Sequence, residues 1–346
     1  MTRLFIVILG LLISCLRQFE RDTVGFGQRE GTCLRGILVL LVIFHHLPAC
    51  GPEFCRLVQA GCGRYAVGMF FFMSGYGLMT QYAERGREAV MQGFLVKRFT
   101  KLLLPLLVAE VVYYLWGGCQ TSIHTVLENW RTGETLVPYA YFVEELALFY
   151  MLFYLAYRFC SCRVALVLCF LGTLGMMGTF IALGWNPHWW ISSLVFPCGI
   201  AAVYMQEWMD DRRLPLFVIA AVLFAVAMLA GQGMPLEAKL ARFSLLLCPL
   251  ACLMVYLVWP VVCVPNPVVS FLGRISYEMY LLQGIAISLF ADMLQSPLMT
   301  RRGPLLVCGC CALMATAAWA FNRLAVTAIL QRIQPEEDQI SRILNQ

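Results

Sequence analysis

Arg35 and His46 close the two ends of the stretch RGILVLLVIFHH. In a helix each residue turns about 100° and rises about 1.5 Å, so eleven steps return to nearly the same face about 16 Å further along. An arginine and a histidine thus share one side of one apolar helix, one near an edge of a bilayer and the other well inside it. Ionisable groups are costly in hydrocarbon and face a protein interior or a cavity. A histidine is the side chain suited to accept a proton near neutral pH. A packed, hydrogen-bonded histidine satisfies the same pattern. His45 points about 100° away and has the weaker claim.

A second group is LVKRFTKLLLP, where Lys97, Arg98 and Lys101 fall at helical spacings of three and four and form one ridge. Such a ridge can hold phosphates, and it can equally anchor a membrane edge. Pro105 in the same helix would kink it and free a backbone carbonyl. Acids form a third group: Glu110, then Glu144 and Glu145 in YFVEELALFYMLFYL, then Glu278 in FLGRISYEMYLLQG. Buried carboxylates need a partner, either a substrate hydroxyl or histidine, or an arginine that holds the bundle together; the latter suits Glu110 best. Ser74 lies in GMFFFMSGYGL, whose Gly68, Gly75 and Gly77 permit close helix approach. His188 sits in GWNPHWW, where it would touch a sugar or help anchor an interface.

The surrounding chain has to position these groups. It has 346 residues, 61% apolar and only 13% charged, with a mean hydropathy of +0.76. Soluble domains carry about 25% charge. Apolar runs recur between short polar or proline-rich gaps, and in lipid such runs must be helices. The expected fold is all-α, a polytopic transmembrane helical bundle. Ten core spans are expected, near 36–50, 65–80, 102–118, 139–157, 164–184, 190–206, 214–231, 243–262, 275–290 and 304–322. A short apolar segment, Leu4–Leu16, precedes them as a signal-like leader, an extra helix or an interfacial anchor. The domain division is 1–32 for that segment and a polar linker, 33–323 for the transmembrane body and 324–346 for a polar tail. With Arg35 placed on the cytoplasmic side, ten spans put fifteen Lys and Arg inside and seven outside. That bias predicts a multi-pass cell-membrane protein whose core termini are cytoplasmic.

The net charge of +5 is no sign of nucleic acid, because the basic residues lie in loops. Sixteen cysteines mostly lie inside apolar runs and lack zinc spacing, and with four histidines in all no metal site is expected. Cys50, Cys55 and Cys62 share one loop, where a disulfide is open to an oxidising space.

Together these pieces resemble the acyltransferase-3 family of integral membrane acyltransferases. LRGILVLLVIFHH is similar to that family's opening helix, with the match on Arg35 and His46. GMFFFMSGYGL is similar to its second-span pattern, ending here in Ser74 and Gly75. The basic segment before Pro105 resembles its third-span motif, with Arg98 kept and lysines at Lys97 and Lys101. FLGRISYEMYLLQG resembles its late-span motif through Gly273, Ser276, Tyr277, Tyr280 and Leu281. Many members carry a histidine where this chain has Gln283, which leaves that residue a hydrogen-bonding role. The resemblance covers about residues 33–322.

It implies transfer of an acyl group, commonly acetyl, from acyl-coenzyme A to a hydroxyl of a sugar or cell-surface glycan. Acetyl-CoA or another acyl-CoA would be the donor, with no tightly bound cofactor. A glycan or lipid-linked sugar would be the acceptor. His46 and Arg35 would be catalytic, and Lys97, Arg98 and Lys101 would hold the donor. Ser74, Glu144, Glu145, Tyr277, Glu278 and Gln283 would support the substrate or the site. The rival reading is a transporter or flippase of a lipid-linked or anionic solute, and the sequence lacks the internal inverted repeat that would favour it.

Overall fold

The structure is a computed structural model that describes residues 26–47, 61–117, 123–262, 266–295 and 303–327. Leu4–Leu16, Cys50 and Cys55 of the disulfide expectation, and the tail beyond residue 327 lie outside the described residues. The order of helices is α1 (Gln28–His46), α2 (Cys62–Met91), α3 (Phe94–Trp116), α4 (Ile123–Thr132), α5 (Tyr141–Phe159), α6 (Cys162–Ala182), α7 (Val195–Tyr204), α8 (Gln206–Asp210) and α9 (Arg213–Ala230). Then come α10 (Leu236–Arg242), a π-helical turn at Phe243–Leu247, α11 (Cys248–Val262), α12 (Pro267–Arg274), α13 (Ser276–Gln295) and α14 (Gly303–Phe321). The chain is all-α among the described residues.

The expectation of ten spans does not hold. Among the described residues, five helices are long and apolar enough to cross a membrane: Phe94–Trp116, Cys162–Ala182, Arg213–Ala230, Leu236–Pro260 and Val307–Leu324. The other expected spans fail for visible reasons. α1 carries Arg29, Glu30 and Arg35, and α5 carries Glu144, Glu145 and Arg158. α7 is ten residues long. Glycine, serine, threonine and tyrosine dilute α2, while Tyr277, Glu278, Tyr280 and Gln283 dilute α13. These helices form the inside of the bundle. α2 lies between α1 and α7 and also touches α5 and α11, while α1 packs on α2, α12 and α13. A helix wrapped in other helices needs no lipid-compatible surface, so polar residues accumulate there. The apolar helices carry the exposed aliphatic faces, with Leu171, Val222 and Leu229 among them. The inside-to-outside charge bias depends on ten spans and falls with that count.

Helix α1 also starts earlier than the expected span, at Gln28, so Arg35 lies in its middle rather than at its end. Past the expected span 65–80, α2 continues to Met91 with a break at Gly86 (φ 80°, ψ 166°). That backbone conformation suits glycine.

Lipid offers apolar helices no drive to associate by burial, so close backbone approach has to hold them. Two glycine pairs provide it. A Cβ on Gly75 would lie 2.2 Å from the Phe196 carbonyl oxygen, and one on Gly199 would lie 2.0 Å from that of Phe72, so α2 and α7 meet backbone to backbone. A Cβ on Gly36 would lie 2.1 Å from the Val269 oxygen, and one on Gly273 would lie 1.8 Å from that of Thr32, which joins α1 to α12 in the same way. Asn266 caps α12 by accepting from the Val268 and Val269 amides, with Pro267 at its first position.

Candidate active site

The Gly36–Gly273 contact fixes the rotation of α1 and with it the direction of Arg35, the preceding residue. Arg35 keeps accessible surface although protein surrounds it on most sides, which places it in a recess rather than on a convex face. Its electrostatic neighbour is the hydroxyl of Tyr150 on α5. Tyr150 also lies within hydrogen-bonding reach of Ser74 and within electrostatic reach of Arg98. Ser74 gives its own proton to the Phe70 carbonyl at 2.9 Å, a back-bond along α2. Three helices, α1, α2 and α3, therefore converge on one tyrosine of a fourth.

The basic ridge divides. Arg98 turns inward, donating to Gln81 Oε1 at 2.6 Å with its guanidinium 5.7 Å from the centre of the Phe94 ring. Lys97 and Lys101 stay exposed, and Lys97 Nζ reaches the Gln92 carbonyl at 3.3 Å. Pro105 sits inside α3 as expected. A proline removes the hydrogen bond to the residue four before it and loosens the turn beneath. Tyr277 from α13 donates to the Leu102 carbonyl in that turn at 2.6 Å. Tyr277 also lies within reach of Tyr150.

His46 lies about three turns further along α1, about 16 Å from Arg35 by helical rise. Its ring stacks on Tyr139 with centroids 3.7 Å apart and planes at 22°, and the His45 ring is 5.1 Å away. Tyr139 has φ +71°, rare for a residue with a side chain. Its carbonyl accepts the Tyr280 hydroxyl, which holds this conformation in place. Backbone placed this way costs about 1–3 kcal/mol and persists where the surroundings over-determine it, commonly at sites.

A polar group adjoins His46. The His188 ring stacks on Tyr141 with centroids 5.7 Å apart. Its backbone amide donates to Asn186 Oδ1 at 3.2 Å. Glu145 is fully buried and accepts from the Ser193 hydroxyl, which also lies 3.4 Å from the Trp189 carbonyl. Its second oxygen has no partner among the described residues, and neither has Nε of Arg64. Glu144 is half-buried on a different face of α5. Glu278 accepts from the Asn322 amide, and Gln283 is fully buried with neither amide atom bonded among the described residues.

His188 stands outside the apolar helices, and burial first, then Arg64 and His45, push its imidazole below the ordinary 6.5. The unfolded chain therefore takes up this proton before the folded one does. The stability contributed by a neutral His188 is complete above pH 6.5 and is lost as pH falls below it. The expected result is a thermal midpoint in detergent that drops from pH 7 to pH 5, with a visibly smaller drop in His188→Asn. Equal drops in both proteins would remove His188 from this role.

The structure thus gathers Arg35, Ser74, Arg98 and Tyr277 around Tyr150, and His46 with Tyr139, His45 and His188, while Glu145 sits one turn from Tyr141, on which the His188 ring stacks. Lys97 and Lys101 stand apart, Glu144 lies on a different face of α5 from Glu145, and Glu278 bonds to the segment after α14. Sequence reasoning missed Tyr150, Tyr139 and Arg64. Tyr150 is one aromatic in the FYMLFYL run, with nothing in its spacing to mark it from its neighbours. Arg64 reads in sequence as one more loop charge.

A family model described as an acyltransferase domain matches residues 32–323. The chain belongs to the acyltransferase-3 family. It is a multi-pass membrane protein of a transferase family. Neither the characterised proteins nor the solved structures compared with it give a match.

Proposed function

We propose that this protein transfers an acyl group, acetyl in the simplest case, from acyl-coenzyme A to a hydroxyl of a sugar or glycan. The observation that carries this reading is the convergence of Arg35 and Arg98, from two different helices, beside Tyr150 and Ser74, with His46 further along Arg35's own helix. The two guanidiniums would bind the coenzyme's phosphates, and the exposed Lys97 and Lys101 would draw the anionic donor towards them. The coenzyme's extended arm would then run along α1 and bring the thioester to His46.

There the acceptor oxygen attacks the thioester carbonyl carbon while His46 takes the hydroxyl proton. The carbon–sulfur bond breaks as the ester forms, and the proton passes to the departing thiolate. The transient oxyanion needs hydrogen-bond donors, and the amide of Gln283 is a candidate. Glu145 with Ser193, and Glu144 near the same end, would orient the acceptor. Tyr277 and Glu278 would hold α13 against its neighbours.

The direct test is purified protein in lipid nanodiscs with labelled acetyl-CoA and a panel of glycans and lipid-linked sugars. Acceptor-dependent release of free coenzyme A supports the reading. Label that never leaves acetyl-CoA with any acceptor, from protein that is folded and binds the donor, sinks it. Arg98→Gln should raise the KM for the donor roughly 10-fold or more with kcat nearly kept, because hydrogen bonds to charged groups contribute about 1.5–3 kcal/mol. An unchanged KM would take Arg98 out of the donor site.

A further inference from the structure

A further cation lies at the His46 end of the bundle and takes no part in the donor contacts proposed above. Arg64 is in the first turn of α2, about 26 Å by helical rise before Gln81, the residue that holds Arg98. A Cβ on Gly63 would lie 2.4 Å from the His45 ring, so this first turn presses against the end of α1 that carries His46. The Arg64 carbonyl accepts the Ser192 hydroxyl at 3.2 Å, which ties the same turn to the segment after Trp189. His188 and Tyr141 are electrostatic neighbours of Arg64, and His188 is in turn a neighbour of His46.

The charge of Arg64 is uncompensated. Among the described residues its side chain makes no hydrogen bond and no ion pair, and its Nε is buried. The residue as a whole is half-buried, so part of it stays accessible. An arginine keeps its charge at any ordinary pH, and a buried charge without a partner is costly. Glu145 also adjoins Tyr141, but it accepts from Ser193 and Arg64 is not among its electrostatic neighbours. His188 adds no second charge at pH 7, since burial first, then Arg64 and His45, push its imidazole below 6.5. Flat rings border the cation: His188 stacks on Tyr141, whose ring centroid lies 6.2 Å from that of Trp189.

We propose that Arg64 is an acceptor subsite for a sugar bearing one carboxylate, a uronic-acid unit of a glycan, with that carboxylate on the guanidinium and a hydroxyl of the same glycan turned to His46. A carboxylate meets the planar fork of an arginine in two parallel hydrogen bonds. One cation complements one carboxylate, whereas a lipid-linked diphosphate would bring at least two negative charges to it. The role of the hydroxyl rests on the acyl-transfer reading; the carboxylate contact does not.

The test uses the full chain in nanodiscs and two sugars that differ in one group, methyl glucuronide and methyl glucoside, with binding followed by NMR titration without acyl-CoA. The wild type should bind the glucuronide about tenfold more tightly, the scale of a hydrogen bond to a charged group. Arg64→Gln should bind the two sugars equally. Arg64→Lys keeps the charge without the fork, and its preference should fall between the two even if Arg64→Gln folds poorly. Arg131→Gln removes an exposed charge beside Trp185 at the same end, and it should keep the full preference. With labelled acetyl-CoA added, the wild type should acetylate the glucuronide at a lower KM than the glucoside. A binding preference that depends on Arg64 while no label is transferred would refute acyl transfer and leave the carboxylate site standing. Equal affinity or no binding of the glucuronide in the wild type, an undiminished preference in folded Arg64→Gln or Arg64→Lys, a lost preference in Arg131→Gln, or tighter binding of a polyprenyl diphosphate sugar in competition would each overturn the assignment.

Discussion

His46→Phe loses acyl transfer while keeping donor binding. General acid–base catalysis contributes about 10²–10⁴-fold to rate, so kcat should fall by at least about 100-fold. Phenylalanine keeps a flat ring to stack on Tyr139, where the His46 ring lies 3.7 Å away. The stack is worth about 0.5–1.5 kcal/mol, and its retention separates lost chemistry from lost packing. His46→Ala gives up both, so it should show the same loss of rate with a lower thermal midpoint in addition. Binding of acyl-CoA, measured by calorimetry, should be unchanged in His46→Phe because the proposed phosphate contacts lie about three helical turns away. His45→Phe serves as the companion variant, and it should keep most of the rate. A His46→Phe enzyme that turns over at the wild-type rate removes the histidine from the chemistry altogether.

Gly199→Ala gives the largest expected loss of stability. The added methyl would sit 2.0 Å from the Phe72 carbonyl oxygen and 3.0 Å from the Tyr76 amide nitrogen. Those atoms are backbone inside α2 and have no rotamer to move to. Separating α2 from α7 would unseat their shared packing, so the cost should reach about 3 kcal/mol, the upper range for overpacking. Gly77→Ala makes the contrast on α2 itself. A methyl there would meet no atom within 4 Å, and alanine is favoured over glycine inside a helix by about 1 kcal/mol. Heating both variants in detergent and counting the soluble folded fraction should place them on opposite sides of the wild type. Activity should follow stability in Gly199→Ala, because Phe72 lies about half a turn from Ser74 on α2. A Gly199→Ala protein as heat-resistant as the wild type would mean that α2 and α7 do not meet through these glycines.

Several elements were legible in the residues themselves. The spacing of Arg35 and His46 places them on one side of one helix, because helical periodicity is a local property. The glycines of GMFFFMSGYGL announced close approach, and Gly68 and Gly75 make it, although Gly77 does not. The spans were not legible in the same way. An average over a window treats a helix as though it had one kind of surroundings, whereas α1, α5 and α13 are enclosed by other helices and tolerate Arg35, Glu145 and Glu278. The basic ridge shows the same limit. Lys97, Arg98 and Lys101 share a helix face by spacing, yet only Arg98 is drawn inward, by Gln81 of α2 and by Phe94 in its own first turn.

By itself the sequence determined that this chain is helical, membrane-embedded and carries an arginine and a histidine eleven residues apart on one helix, since composition and a repeat of 3.6 residues act along the chain. Tertiary structure alone decided which helices face outward and that Tyr150 joins Arg35, Ser74 and Arg98. It also decided that Tyr139 backs His46. Those outcomes depend on which helices pass one another and at what rotation, and glycine-to-backbone contacts between distant segments set both.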